Sequence, residues 1–304
     1  MKATVGLSLP SFQDKYGDML AIEKAKEAGC NSIDLSLTCF DYRKEGNVYS
    51  KSDEEIVEYF TALRKRAEEL GLVISQTHGR IEGFKNIKEE DDALVANARL
   101  DCLATATLGA PYCIIHSVTS IFMGPAPDRQ LMQDLNFDMF NRMIPFAKQY
   151  GIKLSSETFG DAMKYDEVDF FGQIDQFIMS YNRICAAGDN AKYMSVCVDT
   201  GHSNKASRFG QPSPADVIRM LGSNVKTLHL NDNNKLVDQH KIPLTGCIDW
   251  EDTLNALDEI GYDGVFNMEL ALNNCGGKGM EFESAVYANQ VMKNLLKLRG
   301  WEVE

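Results

Sequence analysis

Six side chains able to ligate a metal close short apolar runs along this chain, at intervals near one-eighth of its length. They are His78 in VISQTH, His116 in YCIIH, Glu157 in IKLSSE, Asp199 in MSVCVD, His229 in VKTLH and Glu269 in VFNME. The intervals are 38, 41, 42, 30 and 40 residues in a chain of 304. A strand, a helix and two connections occupy about this length. The pattern therefore predicts consecutive β-strands whose C-terminal ends converge, as in an eight-stranded parallel barrel.

Strand-like runs rich in Val, Ile, Leu and Cys lie near 4–9, 32–37, 73–77, 112–117, 153–158, 194–199, 225–230 and 265–271. Between them, apolar residues at three- and four-residue spacing mark helices over 18–29, 53–70, 90–108, 129–150, 167–187, 214–221, 250–260 and 281–298. Five helices end on a glycine just before the next strand, in EAGC, ELGL, LGAP, YGIK and IGYD. The connections after strands are the longer ones, at 38–52, 118–128, 159–166 and 202–213. In a barrel those loops build the site. An open doubly wound sheet usually carries a phosphate-binding glycine motif after its first strand, and LSLPSFQDKYG offers none. The reading is an α/β chain folded as one (β/α)8 TIM barrel domain over residues 1–304.

Lys plus Arg total 31 and Asp plus Glu 44, a net charge of -13 that argues against a nucleic-acid partner. The eight cysteines contain no CxxC pair, and several sit in apolar runs, so they read as buried thiols of a reducing compartment. The segment MKATVGLSLP starts as a strand, not as a signal peptide, and no run of about 18 apolar residues suggests a membrane span. The expected location is the cytoplasm.

Singly, each of the six residues has a bland reading. A strand-end carboxylate caps a helix or meets solvent, and a lone histidine is a satisfied core residue. Their shared phase argues otherwise, because each closes a run where an uncompensated charge is costly and the barrel turns it toward a common axis. Glu157, Asp199, His229 and Glu269 form an oxygen-rich donor set suited to one divalent cation, Mn, Mg, Co or Zn, with open positions for substrate.

The segments SSETFG, VDTGHSN, LHLNDNN, DQHKIPLTGCIDW and NMEL together resemble the xylose isomerase-like TIM barrel superfamily. That superfamily includes sugar and sugar-phosphate isomerases and epimerases, inosose dehydratase-like lyases and abasic-site nucleases of the endonuclease IV type. The resemblance to its ketose 3-epimerase-like members implies that Glu157, Asp199, His229 and Glu269 hold the metal. It also implies that Glu157 and Glu269 exchange protons with the substrate as an acid/base pair, through an enediolate. His78, His116, His202, Lys235 and His240 are then expected to contact substrate, His202 alternatively serving as a further metal ligand. Lys235 stands where some relatives place an arginine, and a lysine offers a point charge in place of a bidentate fork.

The nuclease reading draws on all five histidines and on the Asp238-x-His240 step. Against it, GLSLPSFQDKYG has neither histidine nor a Gly-Gly pair, and the strand-end loops supply few phosphate contacts beyond Arg129, Lys205 and Arg208. Phe40, Tyr42, Phe122 and Phe159 either cover a sugar face or pack the loop bases, and Trp250 reads as packing beneath the DQH loop. The sequence favours a metal-dependent isomerase or epimerase of a sugar or sugar phosphate. The alternatives are a dehydratase-like lyase, the nuclease and a non-catalytic metal- or sugar-binding barrel, and a homo-oligomer stays open.

Overall fold

Alternation explains the strands. In SIDLS, Ile33 and Leu35 face the surrounding helices while Asp34 and Ser36 face the barrel interior, and all are buried. The computed structural model describes residues 2–303. Its eight-stranded parallel sheet follows chain order: β1 (Val5–Ser8), β2 (Ser32–Ser36), β3 (Val73–His78), β4 (Tyr112–His116), β5 (Lys153–Glu157), β6 (Met194–Asp199), β7 (Val225–His229) and β8 (Phe266–Met268). β8 pairs with β1. The ring closes at a bridge between Leu230 and Met268, where the Leu230 N–H donates to the Asn267 carbonyl at 2.8 Å. The expected (β/α)8 barrel is the fold.

The outer helices are α1 (Asp18–Glu27), α2 (Asp53–Glu69), α3 (Lys88–Leu108), α4 (Arg129–Tyr150), α5 (Ile174–Cys185), α6 (Pro214–Leu221), α7 (Trp250–Glu259) and α8 (Glu281–Leu298). Helix α2 shows how they form. Ser52 and Glu55 make a reciprocal capping box, and Ile56, Phe60, Leu63 and Ala67 recur on the buried face. Gly151 closes α4 at φ 72°, a left-handed conformation that costs glycine no Cβ clash, and the chain turns directly into β5.

Three expectations need correction. The helix expected over 167–187 is shorter, because residues 161–168 form a small antiparallel hairpin and Phe170–Gly172 a 3-10 turn before α5 begins. Buried Asp169 enforces this, accepting from Thr119 Oγ1, Ser120 N–H and Phe171 N–H and so tying the segment to the preceding loop. The loop expected over 202–213 begins as a helix, Thr200–Ser207, capped by Asp199. Of the cysteines, Cys30, Cys102, Cys113 and Cys197 are buried, but Cys39 and Cys247 are exposed; all eight are free thiols. No helix among the described residues is long and apolar enough to cross a membrane.

Candidate active site and metal centre

The barrel places the six residues at one end. His78, His116, Glu157, Asp199 and His229 terminate five successive strands, and Glu269 directly follows β8. Register then makes neighbours of them, His116 pairing with Glu157 and Asp199 with His229. Glu157, fully buried, is the hub. Its Oε1 lies 3.0 Å from His229 Nδ1, and its Oε2 lies 3.0 Å from His116 Nε2 and 3.5 Å from His78 Nε2. Glu269 Oε2 approaches the same His229 Nδ1 at 3.4 Å. The His78 ring stacks on His229, centroids 5.1 Å apart at 13°.

Burial and charge pull these groups in opposite directions. Burial raises the Glu157 carboxyl, but His229 and His116 hold it well below the usual carboxylate range. Glu269 is pushed up to about 7 by burial, against the pull of His229 and His240. Burial pushes His78 down to about 4. His229 is buried too, yet Cys197, Glu269, Glu157 and Asp34 push it well above the ordinary imidazole value.

Asp199 serves two neighbours. Its Oδ1 accepts from the His202 N–H at 2.6 Å, capping the Thr200–Ser207 helix, and its Oδ2 accepts from Asn231 Nδ2 at 2.8 Å. The Asn231 side chain crosses so close to Gly201 that a Cβ there would sit 2.0 Å from Asn231 Oδ1. Glycine in VDTGHSN is thus a packing requirement of this partner. Asn231 was not among the candidates read from sequence.

His202 and His240 meet through Asp238, whose Oδ2 lies 3.4 Å from His202 Nε2 and 3.1 Å from His240 Nε2. His202 also sets its Nδ1 3.1 Å from the Thr158 carbonyl, and His240 Nδ1 lies 3.4 Å from Glu269 Oε2. Burial lowers His240, but Glu269 and Asp238 push it up to about 10. Beneath the same loop, Asp232 accepts from Trp250 Nε1 at 2.8 Å and from the Ile248 N–H at 3.1 Å, which anchors the segment carrying Asp238 and His240. Trp250 is therefore a packing residue. Lys235 stands apart, at φ 69° with its backbone N–H on Asn233 Oδ1, and lines neither cavity described below.

Sequence reasoning also passed over Asp34, a fully buried carboxylate 3.0 Å from His229 Nε2. Burial raises its carboxyl, but the His229 hydrogen bond and charge bring it below the ordinary range. Its signal was an acidic residue, a poor strand former, in the middle of an otherwise strand-like run.

A cavity of about 610 Å³ opens at the barrel mouth, lined by Ser11, Asp14, Lys15, His240 and Glu269 among others. A smaller one of about 170 Å³ lies deeper, with Ser8, Asp34, Ser36, Thr38, His78 and Glu269 in its walls. Glu269 reaches both. The donor set fits a cation: Glu157, Asp199, His229 and Glu269 offer ligand atoms within 4.8 Å of one another. Glu157 Oε2 is buried without a well-aimed hydrogen bond despite two nearby imidazoles. Three carboxylates gathered in so little solvent repel one another unless positive charge joins them. Two further groups with the same spacing are His78–Glu157–His229 and His202–Asp238–His240.

A family model described as xylose isomerase-like TIM barrel matches residues 22–289. The chain is 23% identical to a D-psicose 3-epimerase of Enterocloster bolteae over 264 residues, covering 82% of this chain and 76% of that protein. An uncharacterized protein of Methanocaldococcus jannaschii is 27% identical over 166 residues, 54% of this chain and 50% of the relative. The chain thus spans about half the length of the first curated relatives it matches. The crystal structure of D-psicose 3-epimerase with D-tagatose from Clostridium cellulolyticum H10 superposes with a TM-score of 0.71 at 17% identity, covering 96% of this chain and 99% of that one.

Proposed function

The chain belongs to the xylose isomerase-like TIM barrel family, and from that premise we propose that it is a divalent-metal-dependent isomerase or epimerase of a sugar or sugar phosphate. One observation carries the reading: two carboxylates, Glu157 at the end of β5 and Glu269 just after β8, converge on His229 Nδ1 at 3.0 and 3.4 Å. A cation held by Glu157, Asp199, His229 and Glu269 supplies, when bound, the Lewis acidity that makes a C–H beside a carbonyl acidic enough for a carboxylate to remove.

The residues divide the remaining work. Glu269 lines both cavities, so its carboxylate reaches a substrate held beside the cation and suits the part of general base. It takes the proton from the carbon next to the carbonyl. Glu157 is held charged by His229 and His116, so it first accepts a proton from His116 Nε2, 3.0 Å from its Oε2, and then returns it to the substrate from the other face. Ser8, Ser36, Thr38 and the imidazoles of His78, His202 and His240 offer hydrogen bonds to substrate hydroxyls, and His116 keeps Glu157 in place. The sugar epimerases among the relatives support this substrate class.

The test is isotopic. Incubation in heavy water with candidate ketoses, aldoses and their phosphates places deuterium on the carbon adjacent to the carbonyl, and Glu269→Gln slows that exchange by about 10²-fold or more. Exchange that persists in both Glu269→Gln and Glu157→Gln proteins with metal bound removes the assignment.

A second reading, a three-metal phosphodiester hydrolase, is favoured by one feature: the three ligand groups together use four of the five histidines, and the fifth, His116, lies 3.0 Å from Glu157. Its signature is three metals per chain and metal-dependent nicking of abasic-site DNA that His116→Ala abolishes.

A further inference from the structure

We infer that Asp34 is a positioning residue for the metal centre: it orients the His229 ring so that Nδ1, and not Nε2, faces Glu157 and Glu269. The inference rests on the metal-site reading above and concerns a residue outside the donor set.

Every donor near this carboxylate goes to one of its two oxygens. Oδ2 accepts from His229 Nε2 at 3.0 Å, Ser8 Oγ at 2.8 Å, Gln76 Nε2 at 3.2 Å and, at the limit, Asn267 Nδ2 at 3.5 Å. These partners come from β7, β1, β3 and β8, so four strands converge on a single oxygen. Oδ1 is buried and, among the described residues, has no hydrogen-bond partner. A carboxylate kept merely to fill space would be a poor solution, because an unpaired buried oxygen costs free energy that an apolar side chain of similar size avoids. The arrangement makes sense if the oxygen aimed at His229 is the purpose.

The consequence for His229 is geometric. A carboxylate only accepts, so the nitrogen facing Asp34 carries the hydrogen. The other nitrogen is left for a cation, and it is the one 3.0 Å from Glu157 and 3.4 Å from Glu269. His78 stacked on the ring resists tilting. It does not resist a half-turn about the ring axis, which exchanges a carbon for a nitrogen at nearly the same shape. Asp34, from outside the donor set, is a contact that tells the two apart whether or not Glu157 is engaged by a cation. An outer carboxylate on a metal-binding histidine sets ring orientation and ligand strength in this way generally.

Three measurements decide the matter. With Mn²⁺ or Zn²⁺ as probe, chelator competition should show affinity falling about 10- to 100-fold in Asp34→Asn, the usual cost of losing such a partner, while the chelator-treated variant melts close to the chelator-treated parent. Affinity unchanged in a folded Asp34→Asn overturns the inference. In the unaltered protein, isotopically labelled histidine with bound cadmium should show metal coupling to His229 Nδ1 and a protected hydrogen on Nε2. Coupling to Nε2 overturns it even if the variant fails to fold. Failure of the unaltered protein to take up metal overturns both this inference and the reading beneath it, whereas normal uptake with an indifferent Asp34→Asn overturns this one alone.

Discussion

Two clusters at the same end of the barrel carry metal-capable groups, yet they are built differently. Glu157, Asp199 and His229 end hydrogen-bonded strands and are fully buried; Glu269 directly follows β8 and is nearly so. His202, Asp238 and His240 belong to a helix start and a long loop, are partly exposed, and include His240 at φ 42°. The first cluster is fixed by sheet register, which cannot shift by one residue without turning every side chain to the opposite face. The second is fixed by the loop anchor at Asp232 and by its own ion pairs. Rigid elements hold sites more tightly than loops do, so the strand-end cluster should bind the cation and the loop cluster should grip substrate.

The largest break in this contrast should come from Asp199→Asn. The amide oxygen can still cap the helix through the His202 N–H, so the substitution removes ligand charge more than it removes fold. Metal affinity should drop by more than about 10²-fold, beyond the range seen for outer-shell partners, with secondary structure by circular dichroism unchanged. A smaller effect is expected on the other side. Asp238→Asn should lower cation affinity far less, because Asp238 is outside the strand-end donor set and reaches Glu269 only through His240, while raising KM for the sugar. Equal metal loss in both variants would erase the distinction between the clusters.

The smallest effect is a pH dependence of the metal-free protein. His240, pushed up to about 10 by Glu269 and Asp238, binds its proton more tightly folded than unfolded. The stability this contributes is full below the unfolded value, about 6.5, and is lost as pH rises through the folded one. The side chain is 21% exposed, so solvent weakens the effect. The melting-temperature gap between the parent and His240→Ala, measured after chelation, should narrow as pH rises from 6 toward 10. A gap that widens contradicts the ion-pair account.

Much of the strand-end cluster was legible in the sequence because barrel strands repeat at a nearly constant interval and end on polar residues. His78, His116, Glu157, Asp199, His229 and Glu269 needed only that rhythm to be grouped. Asp34 was not legible, because its meeting with His229 spans 195 residues across the barrel interior. It also depends on a register irregularity next to Asp34, past which Asp34 pairs with Gln76 and Ser36 with His78. Asn231 escaped for a similar reason: its role follows from a close approach at Gly201 that no spacing announces. The helix expected over 167–187 starts too early because the apolar spacing there is helical throughout, whereas the hairpin strand at 167–168 and buried Asp169 hold its first residues in another shape. Lys235 was placed by motif position alone, and the loop turns at that residue through a positive φ.

The central claim is that a cation belongs to the strand-end donors. A crystal of the protein soaked in manganese, with anomalous scattering recorded, tests it most directly. One strong peak is expected within bonding distance of Glu157, Asp199, His229 Nδ1 and Glu269. A dominant peak at His202, Asp238 and His240, or no peak at the strand ends, would contradict it.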